Sequence, residues 1–204
     1  NQKAGPPTAI DGPASFHPPG MKRRNMSRIT LIAPHDATGS VEQSFAEIKS
    51  AFGVIPNMFK AVGNSPAALA SLWGSFAALG GGTLGAKLGE QLAVAIADRN
   101  NCHYCLAAHT GLGKKAGATA AEMAEAQAGR SSDPRTAAAL KFAVALVDKR
   151  GGVEAGHVEE LAAAGFTQGE IVEIIAHVAL NLFTNYVNVA LEVPVDFPGN
   201  QNVR

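Results

Sequence analysis

Thiols are almost missing from this chain. Its 204 residues hold two cysteines, Cys102 and Cys105. A bridge between neighbours three apart closes so small a loop that it would constrain little of the unfolded chain. A structural disulfide is therefore a poor reason for the pair, and a dithiol in a reducing cytoplasm is the more natural reading. An excess of charge is missing too: 17 Lys and Arg balance 17 Asp and Glu. That balance gives no bulk electrostatic reason to bind nucleic acid or an acidic membrane surface. Long apolar runs are absent, so no membrane span is expected. Aromatics make up only 6% of the residues and β-branched runs are scarce. Strands are disfavoured by that shortage, and closely packed Ala- and Gly-rich helices are favoured.

What is present divides into three parts. Residues 1–27 are rich in Pro and Gly and have no apolar segment of signal-peptide type. They read as a flexible arm or as a segment foreign to the natural chain, which would then start at Met21 or Met26. Residues 28–198 read as one all-α domain, followed by a short tail, 199–204. Helices are expected at about 41–51, 56–63, 66–79, 85–99, 102–116, 119–128, 134–150, 154–164 and 168–190. Punctuation supports the divisions. "NSP" at 64–66 and "SSDP" at 131–134 open helices with a proline in the first turn. Thr167 and Glu170 have capping-box spacing. The last helix carries a polar line of Glu173, His177, Asn181, Thr184 and Asn188. Such a line suits a solvated face, a subunit contact or the wall of a cavity. Ile171, Ile174, Ile175, Val178, Leu182 and Phe183 spread apolar surface around most of the same helix. A helix apolar on so broad an arc wants cover on more than one side, which suggests a homo-oligomer with the His177–Asn181 line at its contact.

The thiol segment reads "NNCHYCLAAHTGLGKK" from residue 100. Asn100 and Asn101 are good cap residues, so a helix is expected to begin at Cys102. At about 100° per residue, Cys102, Cys105, Leu106, His109, Leu112 and Ala116 share one arc. Both sulfurs and an imidazole thus lie on one mostly apolar face, while His103, Tyr104, Lys114 and Lys115 point elsewhere. A thiol in a first helical turn meets unpaired N–H groups and the positive end of the helix dipole, which favour thiolate. A sulfenic acid on one sulfur can condense with the other. Buried inert cysteines remain the plain alternative. A zinc site lacks its further ligands, and a thioredoxin-type fold lacks its strands, so no metal or cofactor is expected.

The wider stretch "GEQLAVAIADRNNCHYCLAAHTGLGKKAG" resembles the AhpD-type alkylhydroperoxidases of the carboxymuconolactone decarboxylase superfamily, with the pattern E-x11-C-x2-C-x3-H. Glu90, Cys102, Cys105 and His109 match all four positions. "GVIPNMFKAVGNSPAALASLWGSF" and "NLFTNYVNVALEVPVDFP" extend the likeness toward a peroxidase-related branch. The resemblance implies an AhpD-like helical bundle, oligomeric assembly and peroxide reduction through a disulfide cycle. It implies Cys105 as the attacking thiolate, Cys102 as the resolving one and His109 with Glu90 as proton carriers. Helix-start logic alone would favour Cys102 as the more acidic thiol. Periodicity alone leaves Glu90 an ordinary boundary glutamate. The reductant implied is a lipoyl-bearing or thioredoxin-like protein. Where well-known relatives carry His before the second Cys, this chain has Tyr104, a hydrogen-bond donor or simply a packing aromatic. His177 is a secondary candidate. Lactone decarboxylation, in a branch that generally lacks the Cys pair, and a non-enzymatic redox sensor are the alternatives.

Overall fold

The computed structural model describes residues 26–197, which form nine helices and no strand. They are α1 (Gly39–Phe52), α2 (Asn57–Val62), α3 (Pro66–Gly80), α4 (Ala86–Arg99), α5 (His103–Lys115), α6 (Ala120–Gln127), α7 (Pro134–Asp148), α8 (Ala155–Ala163) and α9 (Gln168–Ala190). Local chemistry explains their starts. The Ser65 side chain accepts from the Ala68 amide ahead of Pro66, and Asp133 does the same for Thr136 ahead of Pro134. Thr167 and Glu170 form the expected capping box, and Thr119 with Glu122 forms a second one. Each such cap is worth about 1 kcal/mol. Residues 1–25 and 198–204 lie outside the described part, and with them most of the expected arm and all of the expected tail.

Helix α4 is the axis of the bundle. Leu88, Gln91, Leu92, Ala93, Val94, Ala95, Ile96 and Ala97 are all buried, so it is covered around its circumference. Helices α5, α6, α7 and α9 pack on it. Small residues allow the close approach. A Cβ on Gly113 of α5 would sit 2.5 Å from the Met123 thioether of α6, and one on Gly89 of α4 would sit 3.3 Å from the His177 ring of α9.

Four of the scarce aromatics form one cluster. Phe59 lies 5.9, 6.0 and 5.7 Å from the rings of Phe52, Trp73 and Phe76. Both ends of the described chain are tied down. The Ser27 hydroxyl and the Arg28 amide donate to the Leu191 carbonyl, and the Arg28 guanidinium donates to the Ala190 carbonyl. A cation thereby covers the negative end of α9. The segment after α9 runs back over α2, where the Asp196 carboxylate accepts from the Asn57 amide.

The polar line of α9 faces inward. Asn181, Thr184, Asn185 and Asn188 are buried within the chain itself, so the expected placing of the His177–Asn181 line at a subunit contact does not hold. The reading as a cavity wall does: His177 and Asn181 line one cavity, Thr184 and Asn188 another. The outward face carries Val172, Ile175, Tyr186 and Val189, all exposed.

Candidate active site at the Cys102–Cys105 turn

The site is built on the turn that joins α4 to α5. Asn100 ends α4, and Asn101 takes a left-handed φ of 52°, which Asn tolerates better than most residues. The Cys102 amide then donates back to the Ala97 carbonyl at 2.9 Å. The cap of α5 is therefore neither asparagine, as the sequence suggested, but Cys102 itself, whose Sγ accepts from the Cys105 amide at 3.3 Å. The asparagines make the reversal that presents the sulfur to the helix start. Asn100 also donates to Asn185 Oδ1 at 2.9 Å, tying the turn to α9.

Cys102 and Cys105 are each 2% exposed and their sulfurs are in bonding contact, with Cα atoms 5.4 Å apart. One turn on, His109 Nδ1 lies 2.7 Å from Glu90 Oε2, so α4 and α5 hold a carboxylate–imidazole pair beside the thiols. A carboxylate accepts, so Nδ1 is the donor; in the neutral ring Nε2 then keeps its lone pair. Glu90, Cys102, Cys105 and His109 are thus brought together.

Two cavities meet at His109. The first, of about 40 Å³, reaches Cys105 but not Cys102. Its walls are Phe52, Phe59, Phe76, Phe197, Met58 and other mostly apolar groups, with Thr184 and Asn188 from α9. The second, of about 140 Å³, lies on the far side of the pair, among Gly85, Gly89, Glu90, His177 and Asn181. Burial pushes the His177 imidazole below its ordinary range, while Glu173 and Glu90 pull it up and His109 pulls it down. Glu173, one turn before His177, accepts from the Thr83 amide and hydroxyl and from the Leu84 amide. These bonds fix the glycine loop at the mouth of this cavity, where a Cβ on Gly82 would overlap the Glu173 carboxylate.

Tyr104 packs edge-on against Phe197, with ring centroids 5.4 Å apart. Its hydroxyl donates to Asp196 at 2.8 Å and accepts from the Met58 amide at 3.2 Å. Burial above all raises its ionisation beyond the usual phenol range. The hydroxyl is committed to pinning the C-terminal segment over the pocket. His103, beside it, is exposed. Among the described residues no group of three His, Cys, Asp or Glu side chains is placed to hold a metal ion.

One residue at the sulfurs was not singled out from the sequence. Asn188 Nδ2 donates to Cys105 Sγ at 3.2 Å from 83 residues away. The signal was the polar line of α9, which could not say which way that line faced.

No curated protein sequence matches the chain significantly. Several solved structures share its fold. The AhpD core of a peroxidase-related protein from Ralstonia eutropha superposes with a TM-score of 0.75 at 22% identity, covering 85% of this chain and 94% of that one. A peroxidase-related protein from Silicibacter sp. TM1040 gives 0.77 at 21% identity, covering 91% and 100%. The debrominase Bmp8, solved as a cysteine-to-alanine variant in complex with 2,3,4-tribromopyrrole, gives 0.69 at 22% identity, covering 84% and 94%. Residues 66–149, which contain Glu90, both cysteines and His109, match the carboxymuconolactone decarboxylase family. That match, over less than half of the chain, lies inside a helical fold shared with the AhpD core, so the fold is AhpD-like and the thiol segment is similar to the carboxymuconolactone decarboxylase family.

Proposed function

We propose that this chain is a thiol peroxidase that reduces hydrogen peroxide or alkyl hydroperoxides through a Cys102–Cys105 dithiol/disulfide cycle. The observation that carries the reading is the placement of Cys105 on a cavity with His109, whose other nitrogen is held by Glu90. His109 Nε2 takes the Cys105 proton. The thiolate attacks the outer peroxide oxygen: an S–O bond forms, the O–O bond breaks, and the alkoxide leaves as alcohol with the proton from His109. Cys102, deprotonated with help from the Cys105 amide at its sulfur, then attacks Cys105 Sγ. The S–S bond forms, the S–O bond breaks, and hydroxide leaves as water with the Cys102 proton. A dithiol protein, lipoyl-bearing or thioredoxin-like, returns the pair to thiols, so the cycle belongs in a reducing compartment such as the cytoplasm.

Cys105 is the peroxidatic sulfur in this scheme because the cavity reaches it and not Cys102. A cavity of about 40 Å³ takes the peroxide head group, and the phenylalanine walls suit a short apolar tail. The larger cavity with Glu90 and His177 offers the pair a route for proton exchange with solvent.

The chain assembles as a homo-oligomer through α9 in this reading. Val172, Ile175, Ala179, Leu182, Tyr186 and Val189 recur at intervals of three and four along its outer face, the spacing of a helix–helix seam.

Steady-state peroxide consumption with dihydrolipoamide or dithiothreitol tests the function, on the wild type and on Cys102→Ser and Cys105→Ser. Turnover lost in both variants is expected. Thiols that are oxidised once without turnover, whatever the dithiol, would favour the sensor reading.

A further inference from the structure

We propose that Asn188 is a further catalytic residue, whose Nδ2 holds the Cys105 thiolate and whose Oδ1 accepts the O–H first of the bound peroxide and then of the Cys105 sulfenic acid. The inference rests on the thiol-peroxidase reading and deepens it. Asn188 is 4% exposed, and it lines the same cavity as Cys105 and His109. Its Nδ2 donates to Cys105 Sγ at 3.2 Å, and its Oδ1 is buried without any protein donor.

Such an arrangement suits the disulfide poorly. A disulfide sulfur is a weak acceptor, and a buried carbonyl oxygen left unpaired costs about 1–3 kcal/mol. Both defects vanish in the intermediates. A thiolate is a charged acceptor for Nδ2, and hydrogen bonds to charged groups are about twice as strong as neutral ones. A peroxide or a sulfenic acid in the cavity brings an O–H to Oδ1. The carboxamide is therefore complementary to what forms during the reaction more than to the resting pair, which is how binding energy accelerates a step. Helix α9 places Asn188 deep in the bundle, where one rotamer points at the sulfur.

The test uses the Cys102→Ser protein, in which a sulfenic acid cannot be resolved. Two quantities are read: the rate of Cys105 alkylation by iodoacetamide at neutral pH, and the lifetime of the sulfenic acid after one equivalent of hydrogen peroxide, trapped with dimedone. Asn188→Ala is expected to lower both about tenfold, the worth of one hydrogen bond. Asn188→Asp keeps an acceptor oxygen and the shape but loses the donor and adds charge, so it should lose alkylation rate yet keep most of the sulfenic lifetime. Equal alkylation rates in folded Asn188→Asp, folded Asn188→Ala and their parent would overturn the proposal in favour of a packing role. If the Cys102→Ser parent forms no sulfenic acid at all, the peroxidase reading itself fails. The alkylation rates then still decide whether Asn188 holds the thiolate.

Discussion

His109 Nδ1 and Glu90 Oε2 lie 2.7 Å apart, one on α5 and the other on α4. Each is mostly buried, with side-chain exposures of 13% and 22%. The pair holds the ring by Nδ1 and leaves the opposite nitrogen free of Glu90, on a residue that lines the thiol cavity. If His109 ionises Cys105, His109→Ala should slow oxidation by peroxide about 10²–10⁴-fold at neutral pH. The deficit should shrink at alkaline pH, where hydroxide removes the thiol proton instead. Glu90→Gln, which can still bond Nδ1 but frees the opposite tautomer, should show a smaller loss of the same shape. Stopped-flow oxidation across pH checks both, and a loss independent of pH would assign the pair to packing.

Phe76 lines both cavities. Phe76→Ala should therefore raise kcat/KM for a bulky aryl hydroperoxide relative to hydrogen peroxide. It should also cost about 3 kcal/mol of stability, since Phe76 packs on Phe59. Initial rates with both peroxides, beside a urea melt, measure the two effects separately.

Three donors from the 80–85 loop converge on Glu173. Burial works against its carboxylate, yet these bonds outweigh burial and hold the carboxyl below its ordinary value of 4.5. A depressed folded value means that the carboxylate stabilises the fold above the unfolded value, and that this contribution is lost as pH falls through the folded one. Glu173→Gln should thus cost about 1 kcal/mol at neutral pH, after solvent screening. Wild type and variant should converge only as pH falls through the depressed folded value. Denaturant melts at neutral and acid pH read the difference.

The outer seam of α9 predicts the assembly. Ile175→Lys combined with Val189→Lys places charges on exposed apolar positions of that face. Light scattering at micromolar concentration should give a multiple of 21.0 kDa for the wild type and the single-chain mass for the double variant. A wild type at one chain mass throughout would remove the seam from the account.

Much of this fold was legible because its boundaries are written in local chemistry. Ser65–Pro66, Asp133–Pro134 and Thr167–Glu170 act within one turn, and the helices begin there. The thiol turn was less legible. Two asparagines look like caps, yet the positive φ of Asn101 spends them on a chain reversal and leaves the cap to a sulfur. Glu90 could not be assigned from periodicity, because α4 is buried on all sides and so has no informative face. Asn188 and Asp196 act on residues 83 and 92 positions away, and such pairings depend on how helices pack. The direction of the α9 polar line has the same origin: its inward face is polar because it meets the thiol site and the His177 cavity.

The central claim is that Cys105 reacts with peroxide and Cys102 closes the disulfide upon it. Reduced protein treated with one equivalent of hydrogen peroxide, then analysed by intact mass and peptide mapping, tests it most directly. The account predicts a loss of two hydrogens per chain with the bridge between Cys102 and Cys105. It also predicts a dimedone-trapped sulfenic acid on Cys105 in Cys102→Ser and none on Cys102 in Cys105→Ser. Thiols that stay free after peroxide, or a sulfenic acid confined to Cys102, would contradict it.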